Sequence, residues 1–390
     1  MWFSIFGSRK PKSSPPKKIL VILLSEMGSL VLAQPMFDRL YEKYSGVAVH
    51  MLMFAKNREI LELTGAVDSK NIITLNDRNL RVFLVDILRA LFRLRSERYD
   101  VVIDCELFAR TSSLFSWLSG APIRVGFHSL TQEGLYRGDY INRAVSYNPY
   151  CHLSQQLITL VEAIDSSESP IAKFPASSRP SSVRQFAMGE DELRSVSSSL
   201  HEAYPILRSK RLILIYPGGG ILPIRAWPPE RYKELCGLLT EQGYAVGLIG
   251  LRDDKQLATE IVAHCNHENL VDLTGYTQSI RHLLALFHRA ELLITNDGGP
   301  AQFSALTPIY SLVFFGPETP RLYSALSDRS WNFYEGYACS PCLTAYNHRN
   351  SPCNGKNLCI SGISTQRVYD KAIQVLDQSR SEVTRQLEGV

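Results

Sequence analysis

Residues 292–305, LLITNDGGPAQFSA, carry an apolar run into a polar corner at Asn296 and Asp297, through a Gly-Gly-Pro turn, and into the opening of a helix. A strand that hands its chain to a helix in so few residues belongs in a parallel α/β sheet. The turn aims backbone N–H groups and a helix N-terminus at whatever lies beyond the strand end. Such a corner suits an anion, phosphate above all. An ordinary tight strand-to-helix turn reads the same way, and a short glycine motif alone does not separate the two.

Working outward, the second half of the chain repeats this alternation. RLILIY (211–216), AVGLIG (245–250), LVDLTG (270–275) and IYSLVFFG (309–316) read as strands, with helical patterns at 229–239, 255–264 and 280–288. A second glycine-rich turn, YPGGG (216–220), follows the first of these strands. The first half has the same rhythm: KKILVILL (17–24), VAVHMLM (47–53), NIITL (71–75), YDVVIDC (99–105) and IRVGF (123–127), with a helix expected at 31–44. Another helix, at 80–94, places Leu84, Ile87, Leu88 and Leu91 on one face, and Arg81, Arg89 and Arg93 are read as its solvated face. A Ser/Pro-rich stretch, DSSESPIAKFPASSRPSSV (165–183), has no hydrophobic period and reads as a linker. The expected organisation is a leader at 1–17, a first α/β domain at 18–165, a linker region at 166–210 that includes a helix at 190–203, and a second α/β domain at 211–390. A ligand is expected between the domains, at the carboxyl ends of the strands.

Composition narrows the function classes. The chain has 390 residues, enough for two domains, and its 45% hydrophobic and 21% charged residues are those of a globular protein. A net charge of +4 from 42 basic and 38 acidic residues is too balanced to argue for nucleic acid. No apolar run is long enough to span a bilayer, and no secretory signal opens the chain, so a cytoplasmic location is expected. The leader MWFSIFGSRKPKSSPPKK (1–18) sets Trp2, Phe3, Ile5 and Phe6 before Arg9, Lys10, Lys12, Lys17 and Lys18. That pairing suits a peripheral contact with an anionic membrane surface, and a disordered soluble leader has the same composition. Neither GxGxxG after the first strand nor GxxxxGK[ST] anywhere is present, which argues against a dinucleotide dehydrogenase and a P-loop NTPase.

Eight cysteines in a cytoplasmic chain do not suggest a disulfide framework. Cys105, Cys151, Cys236 and Cys265 are scattered and read as small core residues. Cys339, Cys342, Cys353 and Cys359 crowd into one polar loop, with a CxxC start, and satisfy the count for a structural zinc or iron site; reduced thiols and, less in keeping with the compartment, a disulfide pair are the alternatives.

Five blocks now stand in one order: ILVILLSEMGSLVLAQP (19–35), YDVVIDCELFARTSSLFSWLSGAPIRVGF (99–127), IYPGGG (215–220) with RAWPPERY (225–232), VDLTG (271–275), and TNDGGPAQFSAL (295–306) with VFFGPETP (313–320). Over about residues 18–375 the chain resembles glycosyltransferase family 9, the ADP-heptose:lipopolysaccharide heptosyltransferases of Gram-negative bacteria. The resemblance implies a GT-B fold, two Rossmann-like domains with parallel sheets facing a central cleft. It also implies inverting transfer of a sugar, by default heptose, from a nucleotide diphosphate donor, by default ADP-heptose, to a glycolipid or glycan acceptor, with no cofactor required for catalysis. By position, Asp297, Gly298 and Gly299 match the family's donor-holding turn, and Arg225 matches its phosphate-facing Lys or Arg. Gly218 and Gly219 would allow a close backbone approach to the donor, and Asp254 is a candidate for the nucleotide ribose or simply a helix N-terminal charge.

Two positions depart from the family. Ser29 stands where the family has its proposed catalytic Asp, and Gln302 where it usually has a His. A replacement base is sought in Glu26, in Glu106, and in Glu133 of the loop TQEGLYRGDY (131–140), whose Arg137 is expected on the acceptor rim beside Ser29. A related branch of the family that glycosylates autotransporter adhesins binds iron through a comparable cysteine cluster. The alternative to an enzyme is a catalytically silent subunit that binds a sugar nucleotide or glycan.

Overall fold

The computed structural model describes residues 14–388 other than 25, 108, 129–136, 138–139, 167–171, 174, 176–182 and 348. The chain forms two compact units, Met1–Ser182 with Ala345–Arg349, and Val183–Thr344 with Asn350–Val390. Each is a doubly wound α/β unit around its own parallel sheet.

In the first unit the strands are β1 (Lys18–Ile22), β2 (Ala48–Phe54), β3 (Ile72–Leu75), β4 (Val101–Asp104), β5 (Ile123–His128) and β6 (Arg143–Ser146), in the order β3-β2-β1-β4-β5-β6. Apolar runs such as KILVI form the middle strands because helices cover both faces, so alternation with polar residues is not needed. Ile22 at the end of β1 pairs with Leu52 on one side and with Asp104 at the end of β4 on the other. The strand order reverses between β1 and β4, and the loops that follow them leave the sheet side by side.

The second unit repeats the plan with β7 (Leu212–Tyr216), β8 (Ala245–Gly250), β9 (Leu270–Thr274), β10 (Leu292–Asn296), β11 (Tyr310–Phe315) and β12 (Ser330–Tyr334), ordered β12-β11-β10-β7-β8-β9. Here Thr295 pairs with Tyr216, and Asn296 with Phe314. The turns after β7, β10 and β11 therefore converge at the reversal between β7 and β10. Below them Trp227, Tyr232 and Phe314 pack edge and face against one another in the core, which the helix Thr365–Glu388 completes with Val368, Ala372, Val375 and Leu376.

Every strand expected from the sequence forms. The short edge strands β6 and β12 and the helix Thr365–Glu388 fall outside the pattern expected from the sequence. The helix expected at 31–44 is two helices, Met27–Leu32 and Gln34–Lys43, with Pro35 in the first turn of the second. The helix Glu190–Ala203, expected in the linker region, packs on the helix Ile280–Arg289, and Arg281 holds Glu192 through two bonds of 2.6 and 2.7 Å. The helix Leu80–Glu97 buries Ala90 and Leu94, while Leu84 and Leu88, expected inside, are 52% and 68% exposed.

Candidate active site

At the reversal point of the second unit, Asn296 fixes three segments at once. Its Oδ1 accepts from the Trp227 N–H and the Tyr232 hydroxyl, each at 2.9 Å, and its Nδ2 donates to the carbonyls of Pro217 at 3.2 Å and Gly218 at 2.9 Å. These four bonds use the whole amide, so Asn296 frames the site rather than meeting a ligand. Gly218 and Gly219 are needed for close packing here. A Cβ on Gly218 would lie 2.5 Å from Asp254 Oδ1 and 2.8 Å from the Tyr216 hydroxyl, and one on Gly219 would lie 2.8 Å from the Pro223 Cα. A Cβ on Gly298 would meet nothing, so the space above that turn is open.

Arg225, on the short 3-10 helix Pro223–Arg225, reaches into this corner. It donates to Glu318 Oε1 at 2.7 Å, and its Nε lies 3.9 Å from Asp297 Oδ2. Both atoms of the longer contact are buried without a hydrogen-bond partner. Burial pushes the Asp297 and Glu318 carboxyls up and Arg225 pulls both down; Asp297 raises Glu318 further, while a hydrogen bond with Glu318 holds Asp297 lower. The two carboxyls titrate as a pair around one cation. Glu318, just after β11, was passed over in the sequence because nothing in GPETP marks it; only the register of β10 against β11 brings it to Asp297.

The other expected donor residues are nearby but engaged. Asp254 Oδ2 accepts the Leu251 N–H at 2.8 Å, the helix-start role, while its other oxygen faces Gly218. Gln302 Nε2 donates to the Tyr323 carbonyl at 2.7 Å, leaving its buried Oε1 without a partner. Gly299 begins the helix Gly299–Ser304.

In the first unit the reversal between β1 and β4 brings together Glu26 and Glu106. Glu26 is exposed and held at φ 56°, a left-handed conformation unusual for a residue with a side chain, immediately before the helix Met27–Leu32 that contains Ser29. Its carboxylate forms an ion pair with Arg349, from the segment Ala345–Arg349 that belongs to this unit. Glu106 is buried and accepts the Leu24 N–H at 2.6 Å, tying the β4 loop to the β1 loop. Arg137 requires a correction: it is not on the rim. Its guanidinium is fully buried in an ion pair with Asp104 and donates to Ser112 Oγ at 2.9 Å and to the carbonyls of Phe127 and Glu106 at 2.9 and 3.1 Å. A cation so enclosed pins the ends of β4 and β5 and is not available to an acceptor. Glu133 lies outside the described residues, as does most of the leader.

The zinc or iron site expected at the cysteines does not take shape among the described residues. All eight cysteines are thiols, and among the described residues no three His, Cys, Asp or Glu side chains are placed to hold a metal. Cys342 Sγ lies 3.1 Å from Ser351 Oγ, and Cys353 Sγ lies 3.2 Å from Asn357 Oδ1. Cys359 is buried on the helix Leu358–Ser361 against Gly316. Burial pushes the Cys359 thiol up, and Cys342, Cys339 and Cys353 nearby push it further, so the four thiols stay grouped without three of them closing on one point among the described residues. No described helix is long and apolar enough to cross a membrane.

Comparison with known proteins places this geometry. The model of glycosyltransferase family 9 (heptosyltransferase) matches residues 87–351. Lipopolysaccharide heptosyltransferase 2 of Salmonella typhimurium is 25% identical over 316 residues, 80% of this chain and 86% of the relative. The structure of the Escherichia coli ADP-heptose lipopolysaccharide heptosyltransferase II superposes with a TM-score of 0.71 at 22% identity, over 93% of this chain and 99% of that one. That of the E. coli heptosyltransferase WaaC with ADP-2-deoxy-2-fluoro heptose gives 0.61 at 14% identity, over 92% and 99%.

Proposed function

The chain belongs to glycosyltransferase family 9 and is a glycosyltransferase, and from that premise we propose that it transfers a heptose, with inversion, from ADP-heptose to a lipopolysaccharide-type acceptor at the cytoplasmic face of the inner membrane. The family and the names of its relatives support the donor and acceptor classes. The observation that carries the donor half is Arg225, whose buried Nε has no hydrogen-bond partner and which stands between Asp297 and Glu318 at the open turn of Gly298. A fixed cation at a strand-end reversal is what a leaving diphosphate needs.

In this reading Asp297, Gly298 and Gly299 shape the diphosphate site, Asp254 and Gly218 border the nucleoside, and Gln302 turns its unpaired Oε1 toward the donor. The acceptor oxygen attacks the anomeric carbon as the bond to the diphosphate breaks, and its proton passes to the Glu26 carboxylate. ADP leaves against Arg225. Exposure and the strained backbone favour Glu26 as base, whereas Glu106, buried and bonded to Leu24, is assigned to positioning the loop. Ser29, one turn into the same short helix, is assigned to an acceptor hydroxyl.

Thermal melting against ADP, UDP and GDP, followed by turnover of ADP-heptose on a lipopolysaccharide-core acceptor, tests this. Selective stabilisation by ADP with heptose transfer is expected. Stabilisation by no nucleotide would overturn the donor assignment, and stabilisation without transfer to any acceptor would overturn the acceptor assignment.

A further inference from the structure

The helix Leu80–Glu97 faces outward with the wrong residues for water. Leu80, Leu84, Leu88 and Phe92 are 72, 52, 68 and 79% exposed, with Val82 and Val85 partly so beside them. Leu84, Leu88 and Phe92 follow one another at a spacing of four, so they form one ridge along the helix. At 3.6 residues per turn, Arg81 and Arg89 fall within the same outward arc. The helix has only two acids, and both lie on its inner flanks: Asp86 accepts the Asn76 N–H at 3.1 Å and lies 3.5 Å from the exposed Arg89, and Glu97 pairs with Lys18 at 2.7 Å. The outward face is thus apolar, with arginines and no acid of its own.

We infer that this helix is a membrane-docking surface that lies in the headgroup region of an anionic bilayer, its leucines and Phe92 inserted and its arginines against lipid phosphates. Charge selects this occupant. A second copy of the chain meeting the face across a two-fold axis would bring the arginines of one copy against those of the other. The leader carries the same sign, with Arg9, Lys10 and Lys12, and so suits the same lipid surface better than it suits this helix. An apolar ridge interleaved with arginines binds by insertion and by attraction to anionic lipid together, and neither contribution is strong alone.

The proposal deepens the reading of a membrane-linked acceptor but stands on surface chemistry. Full-length protein is floated with vesicles of phosphatidylethanolamine and phosphatidylglycerol, or of phosphatidylcholine alone. Binding to the anionic vesicles only is expected. The triple variant Leu84→Gln, Leu88→Gln, Phe92→Gln should lose on the order of ten-fold or more in partitioning, and Arg81→Gln with Arg89→Gln should remove the preference for anionic lipid. Both variants should keep the wild-type melting temperature and its shift with ADP, which separates this proposal from the donor assignment. Unchanged binding of the triple variant overturns it. So does a dimer in light scattering that the triple variant dissolves, or a wild-type chain that binds vesicles only after removal of residues 1–13.

Discussion

Asp297 and Glu318 share one buried corner with a single arginine between them, which makes their protons part of ligand binding. Because burial raises both and Asp297 raises Glu318 further, the folded protein retains a proton in a pH range where the unfolded chain has released it. Stability therefore falls as pH rises above the ordinary carboxylate range, by up to about 1.4 kcal/mol per pH unit for one proton. A diphosphate beside the pair favours the protonated form further. ADP binding should take up protons and weaken as pH rises through the same window, read by calorimetry in buffers of different ionisation heat. Glu318→Gln removes one carboxylate, and its pH dependence should flatten; an unaltered proton uptake would show that the pair does not face the nucleotide. At the other reversal point, Glu26→Gln should lower kcat by roughly 10²–10⁴-fold with ADP affinity unchanged. If kcat survives, Glu26 is not the base, and Glu106 or Glu133 takes its place.

At the scale of elements, the middle strands were legible because a parallel strand covered on both faces must be apolar throughout, as LILIY and LLITN are. The edge strands β6 and β12 were not, since Arg143–Ser146 and Ser330–Tyr334 are short and half solvated and carry no such signature. The turns that join β7 and β10 are held by Asn296. Asn296→Ala strands two buried carbonyls, an N–H and a hydroxyl, and should destabilise the second unit by roughly 2–4 kcal/mol, measured by denaturant unfolding. The two glycines after β7 should differ in cost. In Gly218→Ala the new methyl meets the ends of the Asp254 and Tyr216 side chains, which can turn aside. In Gly219→Ala it meets Pro223 backbone, which cannot. The second variant should lose more stability and more ADP affinity, and an equal loss would mean that the turn itself gives way.

On the scale of the whole molecule, each unit has its own sheet and its own apolar core, one around Leu20, Leu52 and Val102, the other around Trp227, Leu248 and Phe314. Calorimetry should resolve two transitions. ADP at about 100 times its Kd stabilises its unit by about 2.7 kcal/mol, which raises one transition by roughly 5–10 °C and leaves the other in place. Movement of neither would contradict the placement of the donor at Arg225. The sequence by itself determined the α/β class, the two repeats of strand and helix, the family, and the glycine-rich turn at 296–299, because apolar runs and turn residues are local signals that survive in one dimension. Only the tertiary structure decided which polar side chains are spent inside and which remain for a ligand. It buried Arg137 on Asp104, set Glu318 beside Asp297, and turned Leu84, Leu88 and Phe92 outward. Those outcomes depend on strand register and on what covers each helix, and both are settled between residues far apart in the chain.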